Sequence, residues 1–207
     1  MTGVFSCVFQ CRNEKCGETV ACCGESRTEM HEYYDNETGD NEQALEEVLQ
    51  PKFFTPCLIL VDVPKKCPDS VRLQLMDSFA LFFADPGAAV NSVRAAVEAL
   101  LSDVGVKRYK IVGKSANGKG RRRGISLHER LSLLPNKYQH LGEMLLAVKW
   151  LGNAGSHDGE PVGAAEILVA YAFIEHILSE IYEGKVNKLR ASAKLINKNK
   201  GPVKKAK

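Results

Sequence analysis

The residues best suited to chemistry lie in Lys149-Trp-Leu-Gly-Asn-Ala-Gly-Ser-His157, where an apolar helical run breaks into small and polar residues. His157 carries the side chain that titrates near neutrality and so can move protons in either direction. Asn153 sits four residues before it with one amide donor group and one acceptor, and Lys149 lies one turn before Gly152. A second cation, Arg94, occurs in an apolar stretch with Glu98 four residues on, a spacing at which the two can pair along a helix. A histidine beside an asparagine suits ligand binding, structural hydrogen bonding or acid–base chemistry, and all three readings stay open. The plain structural reading makes His157 a hydrogen-bonded helix end, with Gly152 and Gly155 there for close packing and Asn153 for a turn.

Two further groups of residues could bind something. Cys11 and Cys16 flank Arg12-Asn-Glu-Lys15, a loop of a length that can bring two thiolates to one tetrahedral zinc. Two ligands do not make a site, and the others would come from Cys7, Cys22, Cys23, Cys57, Cys67 or His31. Cys22 and Cys23 are adjacent, so on a strand they point to opposite faces. Any such zinc would be structural, and the chemistry open to His157 requires no cofactor.

The other group is Arg121-Arg-Arg123, preceded by Gly118-Lys-Gly120. Glycines let a backbone approach phosphate and guanidiniums can grip it. No Walker loop is present, because Gly118-Lys119 is followed by Gly120 and Gly113-Lys114-Ser115 lacks the upstream glycine. Few aromatics interleave this block, which predicts contact with a nucleic-acid backbone rather than stacking on bases.

These residues belong to a chain of 207 residues, 44% hydrophobic, which fits one full domain and a smaller appendage. The N-terminus lacks a basic segment followed by a long apolar run, and no window approaches a membrane span, which predicts a cytoplasmic protein with no membrane partner. Five of the seven cysteines crowd the first two dozen residues, a pattern of reduced thiols or metal ligands rather than of a disulfide framework. The net charge of +3 hides segregation. Nine acidic residues stand against Arg27 alone from Glu25 to Glu47; eight basic residues with no acid run from Lys107 to Arg123, and nine more from Lys185 to Lys207. Such runs are either solvated loops and tails or, where basic, a phosphate-binding surface.

Short β-prone runs at 4–9, 19–23 and 29–34, separated by turn residues, predict a small antiparallel sheet. Cys57-Leu-Ile-Leu-Val-Asp-Val63 reads as a further strand bounded by Pro56 and Pro64, and Asp35 to Asp40 as a loop. After Pro68 the period changes to about 3.6. The spacing predicts a helix over 70–83 with Asp69 as cap, then one started by Asp85-Pro86 and stopped at Gly105. Ser126-Leu-His-Glu129 has the reciprocal capping pattern, and Pro135 divides the helix that follows. Leu141, Leu145, Val148 and Trp150 read as the buried side of that helix, and Ile167, Leu168, Tyr171, Ile174, Leu178 and Ile181 as that of the last one, near 164–182.

Several separated motifs then carry a resemblance: Pro51-Lys-Phe-Phe-Thr-Pro56, Cys67-Pro68, Ser78-Phe-Ala-Leu-Phe-Phe-Ala-Asp85, Asn91-x-x-Arg94-x-x-x-Glu98, Ser126-Leu-His-x-Arg130 and Lys149 to His157. In that order, over most of residues 7–184, they resemble the bacterial domain-of-unknown-function family 4145. That family is distantly similar to the HEPN superfamily of helical bundles, found in ribonuclease toxins, restriction systems and other antiphage proteins. Many active members carry an arginine, a polar residue and, a few positions on, a histidine. Here Gly152-Asn153-x-x-x-His157 matches the polar residue and the histidine, but glycine stands in the place of arginine. The resemblance implies RNA-associated or defence-related work, metal-independent RNA cleavage and a symmetric homodimer. In that chemistry His157 would transfer protons, Asn153 would orient it or the phosphate, and Lys149 or Arg94 would hold the charge. The alternative is a noncatalytic protein-interaction or scaffold domain.

The expectation is therefore a mainly α protein, an antiparallel helical bundle of HEPN-like kind with a small N-terminal antiparallel β appendage. Its parts would be a cysteine-bearing appendage over 1–66, a bundle over 67–184 and a basic tail over 185–207.

Overall fold

The computed structural model describes residues 2–34, 36, 39–114, 120–155 and 162–201. The first three elements are strands: β1 (Thr2–Gln10), β2 (Thr19–Tyr34) and β3 (Asn41–Thr55), an antiparallel meander in the order β1-β2-β3. The turn between β1 and β2 forms because Asn13 Oδ1 accepts from Lys15 N–H at 3.0 Å and Cys11 N–H reaches Glu18 O at 2.8 Å. β1 stops pairing at Arg27, so β2 and β3 run on as a two-stranded ribbon to the Tyr34↔Asn41 pair. Polar cross-strand pairs hold that ribbon, Tyr33 Oη to Glu42 Oε2 and Gln43 Nε2 to Glu32 Oε1, each at 2.9 Å.

The helical part begins with α1 (Asp69–Leu81) and α2 (Pro86–Asp103). Asp85 caps α2, its Oδ1 accepting from Ala88 N–H at 2.9 Å, with Pro86 at the first helical position. A second hairpin follows, β4 (Tyr109–Lys114) and β5 (Gly120–Gly124). Then come α3 (Leu127–Leu131), opened by the Ser126/Glu129 capping box, a 3-10 turn (Asn136–Leu141) after Pro135, and α4 (Gly142–Ala154). The chain ends with α5 (Ala164–Leu178), a π-helical turn (Ser179–Glu183) and α6 (Lys185–Asn199). Gly184, at φ +59°, takes the left-handed conformation that breaks the last two apart.

One core joins these helices. Val71, Leu75 and Phe79 of α1 meet Val93, Val97 and Leu100 of α2, Leu145 and Val148 of α4, and Ile167, Tyr171 and Ile174 of α5. The N-terminal sheet meets the helical part through Phe54 of β3, whose ring lies 4.9 Å from that of Phe83, and Phe83 in turn lies against Phe82, which packs on this core. Among the described residues no helix is long and apolar enough to cross a membrane.

The structure corrects the expected fold class. Helix makes up 47% and strand 28% of it, so the protein is mixed α and β rather than a mainly α bundle with a small appendage. The acidic stretch from Glu25 to Glu47 is mostly ribbon, and the basic stretch from Lys107 to Arg123 holds the second hairpin. Both ribbons face water on their two sides, so their sequences lack the apolar alternation by which a half-buried strand is read.

Local corrections have similar causes. Cys57 to Val63 forms no strand; Leu60, Val61 and Val63 lie against the helical core, and Asp62 N–H donates to Glu175 Oε1 at 2.9 Å. Trp150 is 55% exposed, because two residues beyond Val148 is about 200° round the helix. Leu168 is exposed for a like reason, one residue off the stripe of Ile167, Tyr171 and Ile174. The start of the basic tail, Lys185 to Asn199, is α6.

Candidate functional site

Two helices meet where the motif from Lys149 to His157 begins. A Cβ on Gly152 would lie 2.5 Å from Arg94 Cβ and 2.9 Å from its Cδ, and one on Gly155 would lie 2.6 Å from Gly87 O and 2.7 Å from Val90 Cγ1. Both glycines are therefore what lets α4 approach α2 this closely. The stem of Arg94 crosses Gly152, while its head stays along α2: Nη2 is 3.5 Å from Glu98 Oε1 and Nη1 is 3.4 Å from Asn91 Oδ1. Arg94 Nε is buried and has no hydrogen-bond partner among the described residues.

The remaining residues of this motif diverge. Lys149 is 8% exposed, and its ammonium sits 3.0 Å from the centroid of the Trp150 ring, a cation–π contact. Asn153 is half-buried near the end of α4, its carbonyl accepting from Gly155 N–H. His157 lies outside the described residues. Arg94 and Gly152 are thus brought together beside Asn153, whereas the Lys149 ammonium is engaged with tryptophan.

A second cluster surrounds the β4–β5 hairpin. Lys110 and Arg123 face each other across the two strands, a like-charge pair that would repel if left alone. Glu129 of α3 resolves this, its Oε1 lying 2.8 Å from Lys110 Nζ and 2.7 Å from Arg123 Nη2. Its Oε2 also accepts from Ser126 N–H at 3.1 Å. The Lys110 hydrogen bond, followed by that from Ser126 N–H and the Arg123 charge, holds this carboxyl at about 2, far below its usual range. One carboxylate therefore starts α3 and fastens the hairpin to it.

The three arginines do not share a role. Arg123 is held by Glu129, and Arg122 lies 4.8 Å from the centroid of the Tyr109 ring. Arg121 and Arg122 are exposed, and neither meets a carboxylate among the described residues. Guanidiniums without a counter-charge on an exposed strand remain available to phosphate.

Arg130 is a residue whose importance the sequence concealed. It is 3% exposed, and its guanidinium donates to Glu98 O at 3.0 Å, Ser102 Oγ at 2.8 Å and Val106 O at 3.3 Å. Arg108 Nε donates to the same Ser102 oxygen at 2.7 Å. Burial first, then the neighbouring Arg108 charge, pushes the Arg130 pKa down, although the group stays a cation. Arg130 thereby joins the last turns of α2, through Glu98 O and Ser102 Oγ, to the Val106 carbonyl that follows it, and ties the root of the hairpin to α3. The pattern Ser126-Leu-His-x-Arg130 marks its position along the chain but carries no sign of a buried destination.

Cys11 and Cys16 are exposed in the β1–β2 turn, and among the described residues no group of three or more His, Cys, Asp or Glu side chains could hold a metal ion. Cys22 is buried opposite Cys7, and burial together with Cys7 raises its thiol pKa; Cys23 points to the exposed face.

Comparison with known proteins adds two matches. The model of a domain of unknown function, DUF4145, matches residues 77–200, more than half of the chain, and that of a second, DUF8608, matches residues 1–54. A search of the curated proteins finds no match, and neither does a search of the solved structures. The first match covers most of the helical part and the β4–β5 hairpin, and the second covers the N-terminal sheet almost to the end of β3.

Proposed function

The chain belongs to the DUF4145 family, and from that premise we propose that it is an RNA-associated module which grips phosphates with the β4–β5 hairpin. The observation that carries this reading is the pair Arg121 and Arg122, exposed on β5 without a carboxylate partner while Glu129 holds the hairpin in place through Lys110 and Arg123. A fixed hairpin presents its charges without having to order itself on binding. Lys107 and Arg108, at its base, extend the same positive surface.

The test is the salt dependence of RNA binding. Affinity should fall steeply as salt rises, and Arg121→Ala with Arg122→Ala should flatten the slope by about one unit for each phosphate no longer neutralised. Arg123→Ala should act instead through hairpin order. Salt-independent or absent binding would leave a noncatalytic interaction domain, a reading that the exposed Met30, Leu45 and Leu49 of the β2–β3 ribbon favour.

Metal-independent cleavage is a second reading, and one contact favours it. Glycine stands at position 152 where the resemblance expects arginine, and the stem of Arg94 from α2 lies across that glycine, with its guanidinium held on α2 by Glu98 and Asn91, so a cation from a neighbouring helix stands close to the position. With His157 as the proton-transfer group, cleavage of labelled RNA should persist in chelator and vanish in His157→Ala of unchanged melting temperature. Cleavage independent of His157 would remove this reading.

A further inference from the structure

Between the hairpin and α3 lies a cavity of about 920 Å³, within the size range of ligand pockets. Its walls are of two kinds. Val106, Ile125 and Leu133 line it with apolar surface, whereas Lys107 and Arg122 bring positive charge to it. Tyr109 joins the two, 53% exposed and with the Arg122 guanidinium over its ring. A surface meant only for phosphates has no need of an apolar recess, and a duplex, whose bases are stacked and paired, could not use one. An unpaired strand could, because its bases can leave the stack and lie on aromatic or guanidinium planes while its phosphates stay outside.

We propose that this cavity is a base-binding cleft for single-stranded RNA. The inference rests on the RNA-associated reading above and narrows it to one form of the partner. One nucleobase enters against Leu133 and the Tyr109–Arg122 stack, and a flanking phosphate lies on Lys107. The cleft reads no base identity through Glu129, since both oxygens of that carboxylate are already occupied by Lys110, Arg123 and Ser126. Binding is consequently tolerant of sequence. The scarcity of aromatics in the basic block speaks against stacking; the fold answers by pairing Tyr109 with Gly124 across the hairpin, which leaves its ring beside Arg122.

The experiment uses the full chain, a labelled single-stranded RNA and the same sequence as a duplex, compared by fluorescence anisotropy at one salt concentration. The single strand should bind about ten-fold tighter or more, the scale of one stacked base. Tyr109→Ala and the uncharged Leu133→Ser should remove that preference and leave duplex affinity and the salt slope unchanged, while Tyr109→Phe should keep it. Leu133 is 54% exposed, so its replacement spares the core. Equal binding of the two forms, with no effect of Tyr109→Ala, would overturn the cleft and leave the phosphate-gripping reading standing. Displacement of the single strand by polyglutamate at equal charge would also overturn it. Failure of the unaltered protein to bind either RNA would end both readings.

Discussion

Gly152 and Arg94 form one joint: the hydrogen of the glycine faces the Arg94 stem, where a methyl group would lie 2.5 Å from the arginine Cβ. The clash is with the root of the side chain, which cannot swing away without moving α2. Overpacking at Gly152→Ala should cost about 1 to 3 kcal/mol, offset in part by the roughly 1 kcal/mol that alanine gains over glycine in a helix, for a net loss of up to about 2 kcal/mol. Denaturant unfolding measures it, and a variant more stable than the parent would mean that the two helices do not meet so closely.

The same joint bears on how any activity is read. Replacing Arg94 removes both a cation and the packing over Gly152, so a loss of RNA cleavage is informative only beside an unfolding curve. Arg94→Lys should keep most of the packing of the stem but cannot fork to both Asn91 and Glu98. Its stability should stay within about 1 kcal/mol of the parent, because exposed i,i+4 pairs contribute little.

Tyr171 and Ser78 predict an asymmetry. The hydroxyls are 2.8 Å apart in the core, and Ser78 Oγ also donates to Ala89 O at 2.7 Å. Tyr171→Phe leaves Ser78 its bond to Ala89 and should cost about 0.5 to 1.5 kcal/mol; Ser78→Ala strands the buried tyrosine hydroxyl, while the Ala89 carbonyl keeps its bond within α2, and should cost more, about 1 to 3 kcal/mol. Burial pushes the Tyr171 pKa up to about 12, so its ultraviolet titration should begin only in strongly alkaline solution.

Glu129 gives the hairpin a pH dependence of defined sign. Its carboxyl is held at about 2 in the folded protein against an ordinary value of 4.5. A depressed pKa contributes order that is fully present above the ordinary value and is lost as pH falls through the folded one. Amide protection in β4 and β5 should thus be constant from neutrality down to about pH 5 and fall towards about pH 2. Glu129→Gln should show weak protection at every pH, and an unchanged hairpin in that variant would remove Glu129 as its fastening.

Arg130 and Arg123 should separate in their effects. Arg130→Lys keeps the charge but cannot span Glu98 O, Ser102 Oγ and Val106 O, and on the scale of other buried charge networks it should cost on the order of 3 kcal/mol. Arg123→Ala breaks an exposed ion pair and should leave global unfolding within about 1 kcal/mol of the parent. Equal destabilisation by the two substitutions would mean that Arg130 is no more than a surface tie.

What the amino-acid order settles alone is whatever acts between near neighbours. Asp85 caps through Ala88, Ser126 and Glu129 cap each other, and the stripe from Val90 to Leu101 buries itself as one face of α2. These interactions join residues close along the chain, so the chain carries them wherever it is placed. The conformation of the acidic and basic blocks is different, because a ribbon wet on both sides leaves no apolar period to read, and its strands are decided by partners across the sheet. The destinations of the arginines are decided likewise: Arg130 reaches Glu98 O across 32 residues, and Arg94 finds its place only once α4 presents Gly152. Tertiary packing alone turned a row of three arginines into one anchor and two open cations, since a guanidinium is neutralised by whatever carboxylate the fold sets beside it rather than by its neighbours in the chain.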